Sequence, residues 1–152
     1  MNSRVGSEFR SPKDSPGFML WRVSNEWQSK IRTALKPFDL SHAQFVLLAS
    51  TIWLEDHGLG VSQAALSRQA VMDKMMVSDV VHLLEKKQLI KRSKDPLDSR
   101  CVAIKATKKG VSVLQDAMKV VESANRGFFS RSSFSQKEIL EMLHSLSNMD
   151  VS

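Results

Sequence analysis

Apolar residues recur every three to four positions along most of this chain and alternate in one short stretch, a pattern of several helices around a single hairpin. Leu20, Ser24, Trp27, Ile31, Ala34 and Phe38 follow gaps of four, three, four, three and four residues. A repeat of roughly 3.5 residues predicts a long helix packed against another, inside the fold or across a dimer. Ser15 is placed to cap it, with Pro16 at its first turn where a missing N–H is harmless, and Pro37 should end it after Lys36. Ser41-His42-Ala43-Gln44 is a capping box for a second helix, on which Phe45, Leu48, Ala49 and Ile52 share a face. Gly58 and Gly60 interrupt the chain, after which Ser62 can cap a short third helix and Asp73 a fourth. A turn of about three residues between those two is the spacing of a helix-turn-helix.

The alternating stretch comes next. Leu89 to Ser93 and Cys101 to Ala106 read as strands, the second with Val102, Ile104 and Ala106 on one face, and Asp95-Pro96 between them is turn chemistry. Thr107 can cap a long fifth helix carrying Val111, Leu114, Met118 and Val121. A second capping box, Ser135 to Glu138, opens a last helix with Ile139, Met142, Leu143 and Leu146. The predicted fold is mainly α with a small β-hairpin wing.

Charge sharpens this picture. Residues 86–109 hold nine Lys or Arg against Asp95 and Asp98, whereas the rest of the chain has 13 basic and 14 acidic residues. The whole positive excess therefore sits in the hairpin and its flanks, as expected of a footprint for phosphates, although a merely solvated hairpin would count the same. On the fourth helix Val77, Val80, Val81 and Leu84 occupy one sector, and Met75, Ser78, Asp79 and His82 the opposite one. One face can be buried while the other reads base edges in a groove, and the helix start near Asp73 and Lys74 offers free N–H groups to a phosphate. An ordinary surface helix would share the two-faced pattern, and Asp79 repels phosphate unless it accepts from a cytosine amino group or pairs with a cation.

A chain of 152 residues is about one domain, with 42% apolar and 25% charged residues, the composition of a soluble globular protein. It has no apolar run long enough to span a membrane, its start lacks a signal core, and it has one cysteine, Cys101; a cytoplasmic location is expected. Residues 1–14 are expected to be disordered or tag-like, with Gly6-Ser7-Glu8-Phe9 reading as a cloning remnant. Catalysis is not expected: Gly58-Leu59-Gly60 lacks the third glycine of a dinucleotide fingerprint, and P-loop, H-E-x-x-H and G-x-S-x-G motifs are missing. Neither cofactor nor metal is called for, because His42, His57, His82 and His144 are scattered without ligand spacing.

From Leu40 to Gly110 the chain resembles the MarR family of bacterial transcriptional regulators. The resemblance rests on L-S-H-A-Q-F at the second helix, D-K-M-M-V-S-D-V-V-H-L-L-E-K-K-Q-L-I-K-R, the wing tip D-P-L-D-S-R and the helix start A-T-K-K-G. It implies a homodimer on a pseudo-palindromic double-stranded DNA operator, most often as a repressor. Residues 15–38 and 107–152 would then form a helical dimerisation region, and 39–106 a winged helix-turn-helix lobe. The expected DNA-binding residues are Lys74, Met75, Ser78, Asp79 and His82 on the recognition helix and Lys91, Arg92, Lys94, Asp98 and Arg100 on the wing. Arg100 corresponds to the wing arginine that reaches toward the minor groove and Asp98 to the acid that orients it; a hairpin salt bridge without DNA contact is the alternative.

Three departures from the family pattern stand out: Gln88 and Val71 occupy positions where glycine or a small residue is usual, and Asp79 stands where Arg or Gln is common. Gln88 should either cost about 1 kcal/mol in a left-handed cap or end the helix differently. The family often binds aromatic acids, so a small aromatic or anionic effector is expected, with Trp21, Arg22, His42 and Trp53 as candidate pocket residues; core or dimer packing is the competing role for each tryptophan. Cys101 is more suited to inert packing than to redox sensing. The alternative function is a winged-helix protein-interaction module, which would expose apolar side chains such as Met75 and Met76 on the recognition face.

Overall fold

Each α-helix begins on a side-chain oxygen that accepts a backbone N–H from its own first turn, and those local caps set the element boundaries. In the computed structural model, which describes residues 4–147, the elements are α1 (Pro16–Leu35), α2 (His42–Asp56), α3 (Gln63–Ala70), α4 (Lys74–Lys86), β1 (Ile90–Lys94), β2 (Val102–Ala106), α5 (Lys108–Phe129) and α6 (Gln136–Leu146). Ser15, Ser41, Ser62, Asp73, Thr107 and Ser135 are the caps, and both capping boxes close. Within residues 4–14, Pro12–Asp14 form one 3-10 turn that leads into Ser15. A further 3-10 turn, Lys36–Phe38, follows α1.

The strands start one residue later than the alternation predicts, for a local reason. The N–H of Leu89 donates to Leu84 O at 3.0 Å to close α4, and that of Cys101 donates to Asp98 O at 2.9 Å in the wing turn, so neither is free to pair. Antiparallel pairing then sets Ile90 opposite Ala106, Arg92 opposite Ile104 and Lys94 opposite Val102.

Gln88 does adopt the left-handed conformation, with φ at 61°. Its N–H donates to Glu85 O at 2.9 Å, which together with the Leu89 bond completes a Schellman ending. Thr107 Oγ1 donates to Gln88 O at 2.7 Å, so the strain of a side chain in this region is held by contacts from α5. α3 also ends on a left-handed residue, Val71 with φ of 50°, whose N–H donates to Ser67 O, as does that of Met72 at 3.1 Å.

The helix α2 runs through the middle, touching α1, α3, α4, α5 and β2. Gln44, Phe45, Leu47, Leu48, Thr51 and Leu54 are all buried, which is broader than the single predicted face; Ala49 and Ile52 on that face are only half buried. Helices on several sides of α2 explain the difference. α1 packs along α5 through its C-terminal half, where Ile31 and Leu35 are buried, while Phe18, Leu20, Trp21 and Val23 are exposed. No residue of α6 is buried, and Leu140, Met142, Leu143 and Leu146 are exposed in the single chain.

Candidate nucleic-acid interface

Burial divides α4 as its sequence predicts. Val77, Val80, Val81 and Leu84 are inside, and Lys74, Met75, Ser78, Asp79 and His82 are exposed. None of those five side chains makes an ion pair or a hydrogen bond among the described residues, so their donors and acceptors stand free for a ligand. Asp73 Oδ1 accepts the Met76 N–H at 2.9 Å, leaving the start of the helix capped by its own carboxylate.

Two glutamates grip the hairpin, one on each edge. On the β1 side Glu85 of α4 accepts the Arg92 N–H at 3.0 Å and takes the guanidinium Nε and Nη2 at 3.1 and 2.8 Å. The Arg92 guanidinium holds the Glu85 carboxyl below its ordinary range. On the β2 side Glu55 of α2 accepts the Ala106 N–H at 3.2 Å, and the Ile104 N–H donates to Val61 O at 2.9 Å. Burial pushes the Glu55 carboxyl up.

At the tip, Asp95 Oδ1 accepts the Leu97 N–H at 2.8 Å and the Asp95 N–H donates to Cys101 O at 2.9 Å. Asp98 Oδ1 accepts from the Arg100 N–H at 3.0 Å and from its Nε at 3.1 Å, while Oδ2 receives Nη2 at 3.4 Å. The pair sits in the wing turn, and that local turn brings the two residues together. The Arg100 side chain is nonetheless 89% exposed, so the carboxylate aims the guanidinium outward without covering it. The Asp98 carboxyl is held below its usual range by Arg100. Cys101 Sγ lies 3.7 Å from Asp98 Oδ2, and that negative charge pushes the thiol up, leaving little thiolate to oxidise.

Not all of the basic segment is available to a ligand. Arg92 is committed to Glu85. Lys87 Nζ donates to Asp39 O and to Gln44 Oε1 at 2.9 Å, tying the end of α4 to the start of α2. Lys109 Nζ donates to Lys87 O at 3.1 Å. Lys91 and Lys94 are exposed and without an ion pair among the described residues. The tightest joint is at Gly110, whose N–H donates to Thr107 Oγ1 at 2.9 Å and where a Cβ would lie 2.0 Å from Leu89 O.

A two-faced helix beside a basic, braced hairpin is the geometry of a winged helix-turn-helix, and comparison with known proteins agrees. The MarR family model matches residues 40–102. The HTH-type transcriptional regulator YdcH of Bacillus subtilis (strain 168) is 44% identical over 124 residues, covering 82% of this chain and 84% of that protein. The chain belongs to the MarR family. It is accordingly a transcriptional regulator of that family, with the helix-turn-helix in α3 and α4 and the wing in β1 and β2. Among solved structures, CouR from Rhodococcus jostii RHA1 bound to p-coumaroyl-CoA is similar at a TM-score of 0.79 and 25% identity, covering 91% of this chain and 93% of CouR. The S. aureus MepR–DNA complex shares the MarR fold at a TM-score of 0.74 and 23% identity, over 87% of this chain and 93% of MepR.

The four candidate pocket residues are not brought together within one chain. His42 and Trp53 lie at opposite ends of α2, roughly 16 Å apart along its axis at 1.5 Å per residue. Trp53 stacks on His57 at 4.1 Å, Trp21 is 69% exposed, and Arg22 pairs with Glu26 at 3.3 Å. His42 instead meets Trp27, ring edge to face at 5.0 Å, and Trp27 Nε1 donates to Asn125 Oδ1 at 2.8 Å. Burial and the nearby Arg32 push His42 below its ordinary value. Trp27 and Asn125 were therefore missed as polar-aromatic partners: Trp27 was visible only as part of an apolar stripe, and Asn125 is 98 residues away in sequence. A cavity of about 740 Å³ opens between the end of α5 and the start of α6, beside Asn125, Phe129 and Phe134. Another of about 460 Å³ lies under the wing, beside Glu55, Leu59, Val61, Leu97 and Ile104. Neither is lined by the four residues first singled out.

Proposed function

We propose that this regulator acts as a homodimeric repressor on a pseudo-palindromic operator and is released by a small aromatic or anionic effector. The observation that carries the reading is the pairing of a free outer face on α4 with an 89% exposed Arg100 preset by Asp98. Lys74, Met75, Ser78, Asp79 and His82 enter the major groove in this reading, and Lys91, Lys94 and Arg100 approach the backbone and minor groove. Arg92 contributes by fixing the wing against α4 rather than by touching phosphate. Exposed apolar side chains on α1 and α6 support dimerisation through residues 15–38 and 107–152, because apolar faces of this size seldom stay in water. A two-fold dimer then sets two winged lobes, residues 39–106, about 34 Å apart in successive major grooves.

Catalysis, cofactor and metal have no part in this mechanism. No helix among the described residues is long and apolar enough to cross a membrane, and a cytoplasmic setting with DNA as partner fits the lone cysteine. The p-coumaroyl-CoA bound to CouR supports a small ligand with aromatic and anionic character. Met75 and Met76, exposed on α4, also favour a second reading as a protein-interaction module. Fluorescence titration of promoter DNA at several salt concentrations separates the two. A repressor gives a sequence-selective complex that weakens steeply with salt, and no such complex means the operator reading fails.

A further inference from the structure

Two large apolar side chains bracket the start of α4 in full view of solvent: Val71 is 86% and Met75 79% exposed. Val71 in addition holds a left-handed backbone, φ of 50°, that a β-branched side chain adopts only under strain, and so little burial offers nothing to the core in return. Apart from Met76, 43% exposed, the neighbouring outer positions are polar, with Lys74, Ser78, Asp79 and His82 around Met75. An apolar protein partner would ask for a broad contiguous patch; a few apolar knobs among polar groups suit a surface that is itself mostly polar with small apolar spots.

The major groove of DNA is such a surface. Each thymine projects one C5-methyl group among hydrogen-bonding edges, and side chains recognise it by apolar contact. The composition of α4 strengthens the match, because it has no Arg, Asn or Gln, and of the side chains that read guanine or adenine through paired hydrogen bonds its outer face carries Lys74 alone. Asp79 can accept only from an amino group, so much of the discrimination has to come from elsewhere on this face. Methionine is flexible and polarisable, able to settle over a methyl group without demanding one fixed geometry. We propose that Met75, with Val71 beside the helix start, reads thymine methyl groups and makes them part of the operator's specification. The proposal rests on α4 being the base-reading helix.

The test uses the full chain and the operator it selects from a random duplex pool. Each thymine is replaced singly by deoxyuridine, which removes the methyl group and leaves every hydrogen-bonding group unchanged. At one or more thymines per half-site the wild-type protein should lose about fourfold in affinity, the worth of one buried methyl group. Met75→Ala, at an exposed position where folding is not at stake, should bind thymine and deoxyuridine operators alike there. Selective operator binding with no deoxyuridine effect at any thymine overturns methyl reading alone, as does an undiminished effect in Met75→Ala. If no sequence-selective complex forms at all, the operator-binding function itself has failed.

Discussion

The outer face of α4 and the hairpin wing are both polar and exposed, yet they differ in how their side chains are employed. On α4 the five outward side chains make no hydrogen bond or ion pair among the described residues, whereas on the wing both arginines are held by carboxylates, Arg92 by Glu85 and Arg100 by Asp98. The contrast fits the two tasks proposed for these surfaces. A surface that must grip a regular phosphate backbone gains from charges fixed in advance, because less side-chain freedom is lost on binding. A surface that must distinguish bases gains from groups whose hydrogen-bonding capacity is unspent. Charge counting alone pointed to the hairpin as the stronger half of the site; the structure shows that part of that charge is occupied in building it.

The joint shared by both regions is the place where they can be broken together. Gly110→Ala would force a Cβ to 2.0 Å from the Leu89 carbonyl, a backbone group that cannot swing aside. We expect a loss of about 3 kcal/mol in urea unfolding, with DNA affinity falling in step. A mutant as stable as the parent would show that α5 and the α4–β1 junction are not rigidly coupled. Arg100→Ala should act on the wing only, weakening operator binding by about 2 kcal/mol with a salt slope reduced by about 1 and with the dimer intact by sedimentation. Asp98→Asn should give a smaller loss of the same kind, since the guanidinium remains but is less well aimed.

Ser78→Ala or His82→Ala should alter preference rather than strength, with about 1 kcal/mol lost at matching base pairs and little elsewhere in a panel of operator variants. Uniform losses across the panel would erase the proposed division between gripping and reading. The smallest effect concerns neither region. His42 has a folded-state value below its ordinary 6.5, so the unfolded chain takes up the proton more readily. Its contribution to stability is therefore full above that value and lost as pH falls through it. Melting temperature should drop as pH falls below about 6.5, where the unfolded chain takes up the proton first, and His42→Phe should flatten that dependence. An unchanged slope in the variant would assign the acid sensitivity to other groups.

What could be read from the chain, and what could not, divides along sequence distance. Ser15, Ser41, Ser62, Asp73, Thr107 and Ser135 were legible as caps because each acts on N–H groups within three residues of itself. The inward set on α4 was legible for the same reason of periodicity. Lys87 and Arg92 were legible as positive charges but not as ties to Asp39, Gln44 and Glu85, since composition does not reveal which cation meets a carboxylate of the fold and which meets water. Gln88 could be flagged as unusual, yet only the bond from Thr107 shows why its left-handed conformation holds. The proposed pocket fared worst: Trp21, Arg22, His42 and Trp53 were grouped by chemical type, while the contact that exists, Trp27 with His42 and Asn125, depends on three helices meeting.

The grip of Glu55 and Glu85 on the hairpin has a consequence for the protein at high concentration. A two-stranded ribbon in water is marginal by itself and presents unpaired N–H groups along both sides, an invitation for strands of other molecules to add on. Here the Arg92 N–H on one side and the Ala106 N–H on the other are already taken by carboxylates of the same chain. The wing can thus project far enough to meet a ligand while offering a neighbouring copy poor footing for the first step of sheet growth.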